Sequence, residues 1–189
     1  LTSPPRPTIP NLLNIATKPR WAFGMAKTPR RQFRNIVGHV KGVQKLDDLT
    51  AWANEQYDPK PDCSKVTRIR DQWKGKIILN GVLDAEDAKL AADAGADAVI
   101  VSNHGGRQLD GALSSIRSLP AIARAIGDQT EVWLDSGIRS GQDVLKAMAL
   151  GAKGTMIGRA YIHGLGAMGE AGVTKALEVI RKEMDITMA

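Results

Sequence analysis

The sequence predicts an α/β fold of short parallel strands covered by helices, and two observations carry that prediction. The first is alternation: brief continuous apolar runs, such as Ile77-Ile-Leu79 and Ala98-Val-Ile-Val101, are separated by stretches with helical periodicity. Continuous apolar strands joined by helices belong to parallel sheets, whose faces are covered by the crossovers. The second is internal repetition. Asp87-Ala-Lys-Leu-Ala-Ala-Asp-Ala-Gly-Ala-Asp-Ala-Val-Ile-Val101 aligns with Asp143-Val-Leu-Lys-Ala-Met-Ala-Leu-Gly-Ala-Lys-Gly-Thr-Met-Ile157, 56 residues later. In both copies Gly-Ala follows a helix and leads into an apolar strand, as expected of duplicated (βα)₂ units.

The elements follow in order. Lys76–Asn80 is predicted as a short buried strand. A helix is expected over Ala85–Ala94, with Asp84 as its cap and Gly95 closing it. A strand at Ala98–Ser102, a helix at Ser115–Ile126 and a strand at Val132–Asp135 come next. A helix at Gln142–Leu150, a strand at Thr155–Gly158 and a final helix at Val173–Met184 complete the series. Four βα units are half of a (β/α)₈ barrel, which typically takes about 250 residues. Four strands alone would leave open edges and an uncovered face. The other half is therefore expected from the same original chain, from a second chain or from a symmetry mate. An open doubly wound sheet is the competing architecture.

Composition sets the remaining bounds. A chain of 189 residues, 43% hydrophobic and 24% charged, can bury a sizeable core. No run approaches the roughly 18 apolar residues of a membrane span. Cys63, the single cysteine, is expected to be a free thiol, which fits a cytoplasmic setting. The formal charge of +6 is unevenly placed. Residues 1–45 hold Arg6, Lys18, Arg20, Lys27, Arg30, Arg31, Arg34, Lys41 and Lys45 without any Asp or Glu, whereas acidic residues predominate in the remainder.

Residues 1–62 are accordingly expected to form a basic excursion of loop and short helices, and residues 63–189 the half-barrel. Pro4, Pro5, Pro7 and Pro10 argue against a regular helix at the start, with a turn or two possible over Asn11–Ala16. Trp21, Phe23 and Phe33 interrupt the charge. Interfacial aromatics among clustered cations suit an anionic membrane surface, hence peripheral attachment at the inner face of a membrane. A solvated loop is the plainer alternative. Nucleic acid is not expected, because no base-reading motif accompanies the charge.

Reactive groups in parallel α/β folds gather at the carboxyl ends of strands. Asn80, Ser102–Asp110, Asp135–Arg139 and Gly158-Arg159 all fall there. In Ser102-Asn-His-Gly-Gly-Arg-Gln108, His104 can take a proton near neutrality, and Arg107 offers a planar fork to a carboxylate. Gly105 and Gly106 permit the turn that would let both converge on one small molecule. A base beside a carboxylate anchor suits removal of hydrogen next to that carboxylate. In Asp135-Ser-Gly-Ile-Arg139, with Gly158-Arg159, the glycines would admit a phosphate to backbone amides while the arginines add charge.

The segment Ser102–Gln108 resembles the signature of the FMN-dependent 2-hydroxy-acid dehydrogenases and oxidases, the family of glycolate oxidase, mandelate dehydrogenase and bacterial L-lactate dehydrogenase. The resemblance covers residues 1 to about 180 and corresponds to the second half of a family member, strands 5–8 of a TIM barrel. It implies FMN as cofactor, a small 2-hydroxy acid as substrate, His104 as base and Arg107 as carboxylate anchor. It also implies flavin contacts from Ser102 and Asn80, a ribityl contact from Asp135, and a phosphate region around Ser136, Gly137, Ile138, Arg139, Gly158 and Arg159. Residues 1–45 would match an insertion that attaches some members to membranes.

Two departures follow. Where the family carries Lys in a Leu-Lys-Gly context, this chain reads Leu79-Asn80-Gly81. Without a cation beside the flavin, slow reduction is expected, so a catalytically silent flavin- or phosphate-binding fragment is the alternative. The first half of the barrel, with its part of the pocket, is not in this sequence. A weaker resemblance, to the inosine monophosphate dehydrogenase group, rests on Asp-Ser-Gly-Ile-Arg and Gly-Ala-Asp-Ala. It leaves Ser102–Gln108 unexplained and puts Cys63 before the first strand.

Overall fold

The computed structural model describes residues 8–27, 40, 46–56 and 62–189. The chain divides into two units, residues 1–60 and 61–189. Arg6, Arg30, Arg31, Phe33, Arg34, Lys41, Lys45 and the first three prolines lie outside the described residues.

In the first unit, α1 spans Ile9–Ala16, α2 spans Pro19–Lys27 and α3 spans Leu46–Gln56. The expectation that Pro10 opposes a helix is corrected. Pro10 lies in the first turn of α1 and Pro19 opens α2, where the missing N–H would have no intrahelical partner anyway. Helix α1 buries none of its residues. Ile9, Leu12 and Leu13, and then Trp21 and Phe23 on α2, are all more than half exposed. The ammonium of Lys27 lies 4.4 Å from the centre of the Phe23 ring.

The second unit opens with α4 (Cys63–Gln72), capped by Asp62, which accepts the amide of Lys65. Then come β1 (Ile78–Val82), α5 (Ala85–Asp93), β2 (Ala98–Val101), α6 (Ser115–Ile126), β3 (Glu131–Leu134), α7 (Gly141–Ala149), β4 (Gly154–Thr155), α8 (Arg159–Met168) and α9 (Glu170–Met188). The four strands pair in parallel and in sequence order, β1-β2-β3-β4. A doubly wound sheet reverses its strand order at a switch point. This sheet does not reverse, as befits a run of barrel staves.

One face of the sheet carries the core. Val99, Val101, Val132 and Leu134 point with period two into Leu119, Ile122 and Ile126 of α6, Ala88 and Ala91 of α5, and Ala147 of α7. Leu119 and Ile122 are fully buried, each worth roughly 1.5–3 kcal/mol of transfer free energy. Ile78, Asn80 and Met156, by contrast, are exposed.

The sequence repeat has a structural counterpart. Gly95 and Gly151 have left-handed φ of 87° and 106°. Behind them Ala96 N donates to Ala91 O, and Ala152 N to Ala147 O, so both helices close with the same glycine-based cap. At the amino ends of the strands, Asp97 gathers Lys76 Nζ at 2.8 Å, the Ile77 amide at 2.9 Å and Arg70 of α4. The Lys76 hydrogen bond above all, then the Ile77 amide and Arg70, hold the Asp97 carboxyl well below the usual range.

The helix over Arg159–Met168 is not among the elements read from sequence. Gly164 and Gly166 depress helix propensity there. Gly164, however, packs on Gly172 of α9 so tightly that a Cβ on either would strike the other's backbone. Tertiary packing overrides the local preference.

Candidate active site

The site begins where β2 ends. Ser102 is buried, and a single 3₁₀ turn, His104–Gly106, follows Asn103. His104, Gly105 and Gly106 all have positive φ, of 54°, 68° and 74°. For His104 this conformation costs about 1–2 kcal/mol, so the turn needs outside support. It comes from hydroxyls and an amide side chain: His104 N donates to Ser102 Oγ at 3.0 Å, and Gly105 N donates to Asn103 Oδ1 at 3.0 Å and Ser136 Oγ at 3.1 Å.

Strand β1 provides the floor. Its register with β2 shifts between Asn80 and Val82, a bulge at Gly81, whose φ is 104°. A Cβ built on Gly81 would lie 2.9 Å from His104 Nε2. The imidazole therefore rests on the bare backbone at the tip of β1.

The end of β3 supplies the second wall. Asp135 Oδ2 accepts from Ser102 Oγ at 2.5 Å and from Ser136 Oγ at 3.2 Å. Ser136 itself has φ 78°. Beyond Gly137, Asp143 Oδ2 accepts the amides of Arg139 and Ser140, while Ser140 Oγ accepts the amide of Asp143, giving α7 a complete capping box. Burial pushes the Asp143 carboxyl up, yet the Arg139 amide and the Ser140 hydroxyl and amide outweigh it and leave it below the usual range.

These pieces enclose one cavity of about 700 Å³. His104, Arg107, Asp135, Ser136, Gly137, Ile138, Arg139, Gly158 and Arg159 all line it, so the predicted base, carboxylate anchor and anion-binding segments share one mouth. Ile138 keeps its side chain in the core, at 6% exposure, and has chiefly its main chain to offer the cavity. Two predicted positions are not in the lining. Ser102, at 1% exposure, supports the wall from beneath, and Asn80 is exposed on β1 one residue before Gly81.

Gln108, which closes the Ser102–Gln108 segment but was given no role from sequence, also lines the cavity, as do Met156, Ala160 and Ile162, which were not picked out. Arg159 reaches across toward the His104–Gly106 turn: a Cβ on Gly105 would be 3.4 Å from its Nη2.

The residues fit a phosphate joined to a polyol. Gly158 stands in the cap position of α8 and offers no side chain to its first amides, which leaves that helix end to an anion. A Cβ on Gly137 or Gly158 would project into open space rather than into protein. Arg139 and Arg159 supply compensating charge, and Asp135 offers carboxylate acceptors to hydroxyl donors.

Comparison with known proteins gives a consistent picture. The family model described as FMN-dependent dehydrogenase matches residues 1–189. An L-lactate dehydrogenase of Caulobacter vibrioides (strain NA1000 / CB15N) is 50% identical over 189 residues, 99% of this chain and 49% of the relative. An L-lactate dehydrogenase of Actinobacillus pleuropneumoniae serotype 5b (strain L20) is 45% identical over 177 residues, covering 93% and 46%. Among solved structures, the monotopic membrane protein (S)-mandelate dehydrogenase superposes with TM-score 0.91 at 36% identity, over 98% of this chain and 48% of that one. A mandelate oxidase bearing a monooxide FMN adduct gives TM-score 0.65 at 44% identity, over 68% and 41%. The chain thus spans about half the length of the relatives it matches.

Proposed function

The chain belongs to the FMN-dependent dehydrogenase family, and from that premise we propose that its cavity takes part in oxidising a small 2-hydroxy acid to the 2-oxo acid. The observation that carries this reading is the convergence of His104, Arg107, Asp135, Arg139 and Arg159 on one cavity. FMN, when bound, supplies the two-electron acceptor. Arg107 pairs its guanidinium with the substrate carboxylate. His104 takes the proton, from the hydroxyl or from C2, at its imidazole. Asp135 receives ribityl hydroxyls, and Gly137, Arg139, Gly158 and Arg159 surround the phosphate.

The uncovered sheet face, with Ile78 and Asn80 exposed, supports completion of the barrel by a further four βα units. An amino-terminal half-barrel fits a chain that spans about half of its relatives; a second copy of this chain is the other candidate. Anaerobic bleaching of the flavin by L-lactate or L-mandelate in the completed barrel tests the function. Bleaching that is abolished in His104→Gln is the expected result. Bleaching that persists unaltered in that variant would overturn the role of His104.

Asn80 favours a second reading. Without the family's cation, electron transfer into the flavin loses electrostatic stabilisation, and a protein that binds the cofactor without turnover would result.

The first unit supports attachment to an anionic membrane surface. Ile9, Leu12, Leu13, Trp21 and Phe23 are exposed beside Lys18, Arg20 and Lys27, and the mandelate dehydrogenase relative is a monotopic membrane protein. Among the described residues no helix is long and apolar enough to cross a membrane, so contact would lie in the interface.

A further inference from the structure

We propose that Ser136 is a positioning residue for His104, and that it works through Asp135, so that filling of the cofactor cradle and setting of the base are coupled. The proposal rests on the flavoenzyme reading above.

Ser102 and Ser136 both donate to the same carboxylate atom, Asp135 Oδ2. A hydroxyl has one proton and two lone pairs. The Ser102 proton is committed to the carboxylate at 2.5 Å, and Ser136 Oγ, 3.2 Å from both Asp135 Oδ2 and Ser102 Oγ, turns its proton toward that pair, so both oxygens are left to accept consecutive amides of the His104–Gly106 turn. Ser102 Oγ accepts His104 N at 3.0 Å, and Ser136 Oγ accepts Gly105 N at 3.1 Å, an amide it shares with Asn103 Oδ1 at 3.0 Å. One carboxylate at the end of β3 thus fixes two peptide groups at the end of β2, across 31 residues of sequence. That carboxylate is also the group assigned to the cofactor polyol. A polyol hydroxyl donating to Asp135 competes with the serine hydroxyls for its charge, and the strain-bearing turn responds.

The backbone supports the assignment. Ser136 has φ 78°, a conformation that glycine adopts freely and a side chain resists. A serine held there owes its place to what the hydroxyl does, since the backbone alone would be better served by glycine. This makes Ser136→Gly an unusually clean substitution, because it removes the hydroxyl and relaxes the main chain together.

The test uses the assembled FMN-loaded protein, comparing the unaltered form with Ser136→Gly and with Ser136→Ala, which loses the hydroxyl but keeps the Cβ. Two readouts are taken: kcat and KM separately, and hydrogen exchange at the Gly105 amide with and without FMN. Ser136→Gly is expected to melt no lower than the unaltered protein, with KM within about twofold because Arg107 is untouched. Its kcat should fall about fivefold to tenfold, the value of one hydrogen bond in positioning. The Gly105 amide, left to Asn103 Oδ1 alone, should exchange about twofold to fivefold faster, and the change that FMN makes in its exchange should disappear.

Unchanged kcat, or Gly105 exchange equal to that of the unaltered protein, would overturn the proposal. Should the unaltered protein fail to bind FMN, the functional reading fails by itself. Gly105 exchange in the two variants then decides the positioning role: faster exchange upholds it, and equal exchange refutes it.

Discussion

His104 Nε2 lies so close to the backbone of Gly81 that a methyl group at residue 81 would be only 2.9 Å from it, and 3.3 Å from Cε1. Gly81 also has φ 104°, which a side chain resists. The bulge at the end of β1 and the imidazole at the end of β2 are therefore one mechanical unit. Gly81→Ala should displace the ring while the core stays intact. We expect kcat to drop roughly a hundredfold for a shift near 1 Å, with a stability loss of about 1–2 kcal/mol from the backbone. Steady-state kinetics beside thermal melting separates the two effects, and full activity would show that the ring has another resting place.

Asn80 occupies the position before that bulge. Asn80→Lys should restore a cation near the flavin and accelerate anaerobic bleaching on the order of a hundredfold. Stopped-flow absorbance is the measurement, and an unchanged rate would refute the part given to Asn80.

Arg107 is exposed and lines the cavity beside His104. Arg107→Met should raise KM for the hydroxy acid about a hundredfold, a loss on the scale of a charge-assisted bidentate pair. Arg107→Lys should recover only part, because an ammonium lacks the planar fork. Equal KM in all three forms would show that the carboxylate is held elsewhere.

The loop bearing Arg139 is tied by Asp143, whose pKa is depressed in the folded state. A depressed carboxyl stabilises the fold above its unfolded pKa, near 4, and that contribution fades as pH falls through the lower folded value. Asp143→Asn should therefore weaken the cap by about 1 kcal/mol at neutral pH. The difference from the unaltered protein should vanish in strong acid. Melting curves and FMN release followed by fluorescence from pH 7 downward would reveal it. A difference that persisted or grew in acid would contradict the assigned role.

Trp21 and Phe23 stand exposed on α2 with Lys27 at its end. Replacing both aromatics with Ser should cut co-sedimentation with anionic vesicles at least tenfold, and raised salt should weaken what remains. Binding that ignores both salt and the aromatics would dismiss the membrane proposal.

Much of the second unit was legible because its signals are local. The Asp84 helix start and the Gly95 and Gly151 closures depend on residues within a turn of one another. So does the continuous apolar run Ala98–Val101, all of it buried. Strand ends were less secure: β1 begins at Ile78 rather than Lys76, and β4 covers only Gly154–Thr155. Pairing with a neighbour, not residue type, decides where a ladder starts. Pro10 was weighed as a breaker, although in the first turn of α1 it is tolerated.

The sequence by itself determined the α/β class, the strand order's raw material, and the placement of His104, Arg107, Asp135 and Arg159 at strand ends, since periodicity and turn chemistry are encoded within short windows. Only the tertiary structure decided that Gly81 lies under His104, that Ser136 holds Gly105, and that a glycine-containing stretch becomes α8. Those relations join residues 8 to 31 positions apart, and their energies exist only once parallel pairing and helix packing have brought the segments together.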